Sequence, residues 1–487
     1  MIKPTIEESR KYCSENKIIP ISLELYSDIK TPIEVLKSLK ATSKKCFLLE
    51  SVEGGEKWGR YSFLGFDPEQ SVKCLDKEVE ITNGQTTKIL ADHPIDVLRS
   101  ILKEWKSPKF DFLPVFTGGF VGYISYDFVK YTERNLILDN QNPEEFDDMN
   151  LMLFDKVIAF DHLRQKIIII VNIRTDHLEK NYIDGVIKLK EIEALIKCCS
   201  NTQNFDGGLT SDFKPLFTKD YYCSMVEAAK DHIVQGDIFQ AVISNRLEAD
   251  FQGDLLSTYR VLRTLNPSPY MFYIDFDKIQ VAGASPETLV SLRNGELSTY
   301  PIAGTCPRGK TPAEDAANIK ALLENEKELA EHNMLVDLGR NDLGKISEFG
   351  TVKVEGYQEV LKFSHVSHIA STVTGTLKSG MDQMDAIAAV LPAGTLSGAP
   401  KKRAIEIINA LEKQKRGVYG GAVGYIDFSG NMDMCIAIRM AVKKNNKIYV
   451  SAGAGIVADS IPENEYNESY NKARAMVESL KRAKEVE

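Results

Sequence analysis

The chain has no surplus of positive charge: 60 Lys and Arg face 69 Asp and Glu across 487 residues, for a formal net charge of −9. With nothing in reserve to neutralise phosphates or an anionic lipid surface, general nucleic-acid and membrane-surface binding are excluded as classes. Long apolar runs are missing as well. The longest aliphatic stretch, residues 167–171, is far short of the ~20 residues that span a bilayer and reads as a buried strand. The N-terminus, Met1-Ile-Lys-Pro-Thr-Ile-Glu-Glu8, lacks the apolar core of a signal peptide. No Cys-x-x-Cys pair occurs among eight cysteines, and the adjacent Cys198 and Cys199 suit a disulfide poorly. A disulfide framework and a zinc site are therefore not expected, and reduced thiols place the chain in the cytoplasm.

What is present fits a large globular protein. Apolar residues make up 43% and charged residues 26%, enough for a sizeable core. The length allows two or three domains, or one body with interleaved sheets. Residues 198–215 are rich in turn formers and poor in aliphatics, so they read as a linker between units at 1–197 and 216–487. Asn83-Gly84 and Asn294-Gly295 each separate two β-prone runs, a good hairpin signal. A helix is predicted from 219 to about 236, and a long one over 312–340. The latter starts at Thr311-Pro-Ala-Glu314, where Glu314 can complete a capping box. Residues 418–458 read as a three-strand meander with turns at 429–431 and 445–446, and a last helix starts near Pro462. Strands in meanders and helices in blocks give an α+β class with largely antiparallel sheets. The basic clusters at 401–403 and 413–416 read as solvated helix positions.

Several side chains stand out chemically. Glu331 shares a helical arc with Met334, Leu335 and Leu338. A carboxylate there needs a cation, a set of hydrogen bonds or a proton. Arg340 or a lysine elsewhere is the structural alternative to a bound ion. Glu468 precedes Asn471 and Lys472 at helical spacing, so a solvated Glu–Lys pair competes with a metal role. Hard carboxylate oxygens suit Mg²⁺, which takes one or two protein carboxylates and fills its shell with water and substrate. Arg439 falls on an apparent strand, 435–441, whose alternation places it with Cys435, Ala437 and Ala441. Small neighbours leave room for an anion at its fork, or for a cross-strand salt bridge. His365 and His368 read as structural histidines or as a base, with no Ser-His-Asp signature around them.

Two glycine-rich stretches raise a competing possibility. Residues 453–458 match the Gly-x-Gly-x-x-Ala dinucleotide fingerprint, but that fingerprint must open a helix inside a βαβ unit. Here Ile456-Val457 continues as a strand and no helix can begin before Pro462. A strand whose glycines admit an anion fits better. Gly394-Thr-Leu-Ser-Gly-Ala-Pro-Lys401 lacks the ending of a phosphate loop and reads as a helix N-terminus.

These stretches occur in a fixed order: Pro301-Ile-Ala-Gly-Thr305, Glu328-Leu-Ala-Glu-His332, Met334-Leu-Val-Asp-Leu-Gly-Arg-Asn-Asp342, residues 394–401, Tyr419-Gly-Gly-Ala-Val-Gly424 and Gly453-Ala-Gly455. Together they resemble the chorismate-binding enzymes, most closely anthranilate synthase component I. The resemblance implies antiparallel sheets in a sandwich with helices outside. It also implies conversion of chorismate and ammonia to anthranilate and pyruvate, the first committed step of tryptophan biosynthesis. By motif, Glu331 and Glu468 take the Mg²⁺ positions. Gly304, Thr305, Tyr419, Arg439, Gly453, Ala454, Gly455 and Lys472 take the chorismate-contacting ones. Glu287, in Ala284-Ser-Pro-Glu287, matches a general acid, and His368 the histidine of the elimination step.

Two positions separate neighbouring chemistries. Aminodeoxychorismate synthases carry a nucleophilic lysine where this chain has Ala303, and isochorismate-forming relatives a water-activating lysine where it has Gln240. Ammonia needs neither, which makes anthranilate the favoured product and the aminodeoxychorismate branch the runner-up. Leu48-Leu-Glu-Ser51 and Asn266-Pro-Ser-Pro-Tyr-Met271 resemble the family's tryptophan-feedback segments, with Ser51, Pro269, Tyr270 and Met271 as inhibitor contacts and residues 1–197 as the sensing part. No Gly-x-Cys-x-Gly loop of a glutamine amidotransferase occurs. The resemblance thus implies a separate ammonia-supplying subunit, in a heterotetramer of two large and two small chains. A catalytically dead tryptophan sensor is the non-enzyme alternative, opposed by the intact Glu287, Glu331, His368, Arg439 and Glu468.

Overall fold

The computed structural model describes residues 2–51, 59–198, 205–362 and 366–486. Part of the expected linker, 199–204, and His365 lie outside the described residues. Among the described residues the backbone forms two antiparallel sheets, of fourteen and twelve strands. In the larger, Lys45–Glu50 pairs with Tyr270–Phe276. In the smaller, Gly119–Ile124 pairs with Ala422–Asp427. Strands from before 198 and after 215 therefore share both sheets. The α+β class with helices outside antiparallel sheets is what the strand and helix blocks predict.

Between the sheets lies an aromatic-rich core that includes Phe47, Phe116, Phe154, Phe272 and Val423. Burying each such side chain contributes roughly 1.5–3 kcal/mol. The outer face of the larger sheet is covered by helices such as Leu178–Lys197 and Leu256–Leu265, through Leu189, Ile192, Tyr259 and Leu262. Helices Glu326–Gly344 and Gln383–Val390 cover the smaller sheet through Val336, Leu343 and Ile387. Both Asn-Gly hairpins form, Glu78–Thr82 with Thr86–Leu90 and Thr288–Arg293 with Glu296–Thr299.

Four local expectations are corrected. The helix expected over 312–340 is two, Pro312–Leu323 and Glu326–Gly344, because the Asn325 side chain accepts the amides of Lys327 and Glu328 and caps a new helix. The Glu314 carboxylate takes the amide of Lys310 at 2.8 Å. Part of the linker is paired: Gly207–Leu209 and Lys214–Pro215 both add to the edge of Gln240–Gly253. The apparent strand 435–441 is broken, since Met432–Ile436 belongs to the smaller sheet and Met440–Lys444 to the larger. Between them Arg439 adopts φ 52°, a left-handed conformation uncommon for a residue with a side chain.

The basic clusters are not all solvated. Lys401 reaches Asp342 at 2.6 Å, with both side chains buried. Arg416 and Glu412 form an ion pair at 2.6 Å, each side chain only 3% exposed. The Arg416 fork also donates to the carbonyls of Leu396 and Val242, both at 2.6 Å, while Glu412 accepts the Ser244 amide at 2.8 Å. Every element of this network is partnered, which is the condition for tolerating charge in an interior. Removing one partner should be severe. Arg416→Met is expected to lower stability by ~3–5 kcal/mol, read as a drop in the urea midpoint, with Glu412→Gln/Arg416→Met recovering part of the loss. An unchanged midpoint for the single variant would show that the pair is dispensable.

Candidate active site

One cavity, of about 600 Å³, gathers the chemically distinctive side chains. It opens where two neighbouring strand pairs change sheets together. Ile279–Ser285 pairs with Met440–Lys444 in the larger sheet, and Thr288–Arg293 with Met432–Ile436 in the smaller. Glu287 and Arg439 sit on the two short crossovers between them. The crossovers brace each other: the amide of Ile436 donates to the Glu287 carbonyl at 3.0 Å, and that of Ala284 to the Arg439 carbonyl at 3.1 Å.

Glu287, Gly304, Thr305, Glu331, His368, Tyr419, Arg439, Gly453, Gly455, Glu468 and Lys472 all line this cavity. Ala454 does not. Strand alternation turns its fully buried side chain the other way, into a core with Ala241, Ile243 and Ala404. Gly453 and Gly455 belong to Lys447–Ile456, with the next helix at Pro462–Lys481, so the dinucleotide context is absent from the backbone here. A Cβ at Gly455 would fall 2.3 Å from Gln240 Nε2, and one at Gly453 would meet the Ile243 carbonyl at 2.7 Å. Close approach of the Ile243 backbone, not a phosphate-binding turn, requires Gly453, whereas at Gly455 the Gln240 side chain would have to shift.

Glu287 keeps its proton to higher pH than an ordinary glutamate. Burial raises its carboxyl to about 7, against the hydrogen bond from Thr395 and the more distant charge of Lys472. Thr395 Oγ1 donates to Oε1 at 3.0 Å. His368 lies on Val366–Thr376, and its Nδ1 contacts the Gly304 carbonyl at 3.1 Å and Thr305 Oγ1 at 2.9 Å. A carbonyl can only accept, so this geometry assigns the proton to Nδ1 and the lone pair to Nε2. Burial lowers the imidazole pKa, the Gly304 bond opposes it and Arg439 adds to it. A neutral ring able to take a proton results.

Anion-binding groups lie beside them. Arg439 Nη1 donates to the Lys472 carbonyl at 3.0 Å, one of five N–H donors in its fork. Lys472 Nζ reaches the Gly453 carbonyl at 3.2 Å and Glu468 at 2.7 Å, the Glu–Lys pair weighed from the sequence. Tyr419 is buried beside these cations, and burial pushes its phenol up to about 12.

Glu328, Glu331, Glu465 and Glu468 crowd one side of the cavity with Lys327 and Lys472. The Glu331 carboxyl is raised by burial and then by Glu328, with Glu468 adding. Glu465 is raised likewise by burial, with Glu468 adding. Arg340, considered as a partner for Glu331, instead pairs with Asp337 at 3.1 Å. Mutual repulsion among carboxylates is relieved by a divalent cation, so the donor set fits Mg²⁺. Among the described residues there is no ready cluster of three or more His, Cys, Asp or Glu ligands.

A second cavity of about 280 Å³ brings Ser51, Pro269, Tyr270 and Met271 together with Leu49, Glu50, Phe63, Arg293 and Asp433. Glu50 is tied to Tyr259 at 2.7 Å and Arg263 at 2.8 Å. Tyr270 and Met271 begin the strand Tyr270–Phe276, and 266–269 lead into it without regular structure.

Sequence reasoning missed Lys327, Glu328, Thr395 and Glu465 among the lining residues. Thr395 and Glu328 lay inside quoted motifs without a role; Glu465 had one usable signal, a helical-turn offset from Glu468. The described cysteines form no disulfide, and no described helix is long and apolar enough to cross a membrane.

The model of the chorismate binding enzyme family matches residues 44–478. Anthranilate synthase component 1 of Acetivibrio thermocellus is 44% identical to this chain, covering all of both sequences. That of Aquifex aeolicus is 43% identical over 99% of this chain and 98% of its own. The crystal structure of anthranilate synthase component I from Streptococcus pneumoniae superposes with a TM-score of 0.75 at 38% identity, covering 93% of this chain and 98% of that one. On these similarities, over nearly its whole length, this chain belongs to the chorismate-binding enzymes, as an anthranilate synthase component I.

Proposed function

We propose that the larger cavity binds chorismate and converts it, with ammonia, to anthranilate, pyruvate and water through 2-amino-2-deoxyisochorismate. The observation that carries this reading is Glu287, a carboxyl raised to about 7 on a crossover facing the cavity. Arg439, Tyr419 and the backbone around Gly304, Thr305 and 453–455 would hold the substrate's carboxylates. Ammonia attacks ring C2 with its own lone pair, the C1=C2 and C5=C6 pairs move to C1=C6 and C4=C5, and the C4–O bond breaks. Glu287 supplies the proton with which that hydroxyl leaves as water. In the second half-reaction His368 Nε2 takes the C2 proton as the enolpyruvyl C–O bond breaks, and the C–H electron pair completes the aromatic ring. Ala303 and Gln240 line the cavity and offer no amine to compete with ammonia at C2.

Glu331 and Glu468 are the proposed Mg²⁺ ligands, with Glu328 and Glu465 beside them. Bound there, the ion would neutralise a substrate carboxylate. The ammonia would come from a glutamine amidotransferase subunit, since relatives are named as component 1 and no amidotransferase nucleophile loop occurs in this sequence. Two chains of each kind are proposed to assemble. The smaller cavity is proposed as the site of feedback inhibition by L-tryptophan. Its apolar walls at Leu49, Phe63 and Phe272 and its polar ends at Ser51 and Arg293 suit an aromatic amino acid.

Purified chain given chorismate, Mg²⁺ and an ammonium salt should release fluorescent anthranilate, lose that activity in EDTA and regain it with added Mg²⁺. Chorismate consumed without anthranilate would redirect the reading to the aminodeoxychorismate branch.

Glu287→Gln should cut turnover by about 10²–10⁴-fold. In the wild type, with free ammonia held constant, kcat/KM should fall as pH rises through about 7, where Glu287 loses its proton. A wild-type profile flat across that range would remove Glu287 as the acid.

The same shift has a stability consequence. Because the folded-state pKa lies above the unfolded one, the folded chain binds the extra proton, and stability declines as pH rises from the ordinary glutamate value to about 7. Glu287→Gln should therefore melt higher than wild type at pH 8 and equally at pH 4. A melting gain independent of pH would contradict this.

A further inference from the structure

The two cavities share no lining side chain, yet one hydroxyl bridges their supports. Tyr270 lines the smaller cavity, at the start of its strand in the larger sheet. Its hydroxyl lies 2.8 Å from Asp433 Oδ1 and 2.8 Å from Thr288 Oγ1. A phenol has one proton, and a carboxylate can only accept. Tyr270 therefore donates to Asp433, and Thr288 donates to Tyr270. Both partners lie in the smaller sheet, on the two strands that meet at the crossovers.

Thr288 is the peptide neighbour of Glu287. Asp433 stands on the strand that ends at Ile436, whose amide holds the Glu287 carbonyl and whose own carbonyl accepts from Ser285 Oγ at 2.7 Å. Asp433 is itself fixed by Arg293 at 2.7 Å. Tyr270 thus grips the approach to both crossovers from the side of the other cavity. Hydrogen bonds weaken steeply with small misalignments, and a close-packed interior passes a displacement on.

We infer that Thr288 is a positioning residue for Glu287, and that a ligand pressing on Tyr270 in the smaller cavity acts on the larger one through the Thr288–Tyr270–Asp433 contacts. The inference rests on the reading of the smaller cavity as an inhibitor site. It assigns the coupling to a bond between side chains, separate from whatever holds the ligand.

The test uses the full chain as wild type, Thr288→Val and Thr288→Ser, with tryptophan as the probe. Binding is followed by titration calorimetry, and inhibition by chorismate turnover with Mg²⁺ and ammonium. Thr288→Val should bind tryptophan within about threefold of wild type while its residual turnover at saturating tryptophan rises at least about fivefold, and Thr288→Ser should behave as wild type. Should Thr288→Val fail to fold, Thr288→Ala removes the same contact and should uncouple in the same way. Wild-type inhibition in Thr288→Val, or loss of tryptophan binding in it, would overturn the coupling. So would uncoupling in Thr288→Ser. Wild type that binds no tryptophan would instead overturn the inhibitor reading beneath it.

Discussion

The site depends on one topological constraint: two adjacent strand pairs leave one sheet and enter the other at the same place. Backbone groups on such a crossover lose their ladder partners, and buried amides and carbonyls cannot stay unpaired without cost. The two crossovers solve this for each other, through Ile436 to Glu287 and Ala284 to Arg439. The result is a gap in the sandwich where side chains face a cavity instead of a packed core. The carboxyl raised toward neutrality and the guanidinium with spare donors both occupy this gap. Arg439's left-handed backbone is part of the same geometry. Strain of that kind persists only where surrounding contacts hold it.

Electrostatics then divides the cavity into regions of different character. Glu287 has a hydroxyl from Thr395 and only a distant lysine, so burial wins and its proton is retained. On the other side, four glutamates press on one another, and Lys472 answers only part of that charge. Carboxyl groups of one cavity thereby differ in character, one keeping its proton and the others repelling one another, through their neighbours alone. Beneath them the fully paired Arg416–Glu412 network fixes the carbonyls of Val242 and Leu396, both at residues that line the cavity.

Much of this was legible in the sequence because it is local. Both Asn-Gly hairpins, the helix at Pro462 and the unsuitability of 453–458 for a dinucleotide follow from turn chemistry and spacing. The failures are where a distant contact decides. Residues 435–441 alternate as a strand should, and nothing within seven residues reveals that the two ends belong to different sheets. Lys415 and Arg416 look like solvated helix cations until Asp148 and Glu412 are brought to them. Asn325 was a local signal, but one polar residue within a continuous helical pattern is easily read through. Ala454 falls between two glycines of one motif, and only the pleat of the strand separates its direction from theirs.

Glu468 marks the boundary between the two kinds of inference. The structure contains the surface pair that the bland reading anticipated, Lys472 at 2.7 Å. An exposed i,i+4 pair contributes only about 0.3–0.5 kcal/mol, too little to commit the carboxylate to that lysine. Lys472 also reaches the Gly453 carbonyl and stands in the field of Glu331 and Glu287. An ammonium on a flexible stem can move among such partners, while the four glutamates stay clustered on one side of the cavity. The pair is therefore compatible with a cation site: a divalent ion would need to displace one weakly held contact, and would gain relief of repulsion among several neighbouring carboxylates.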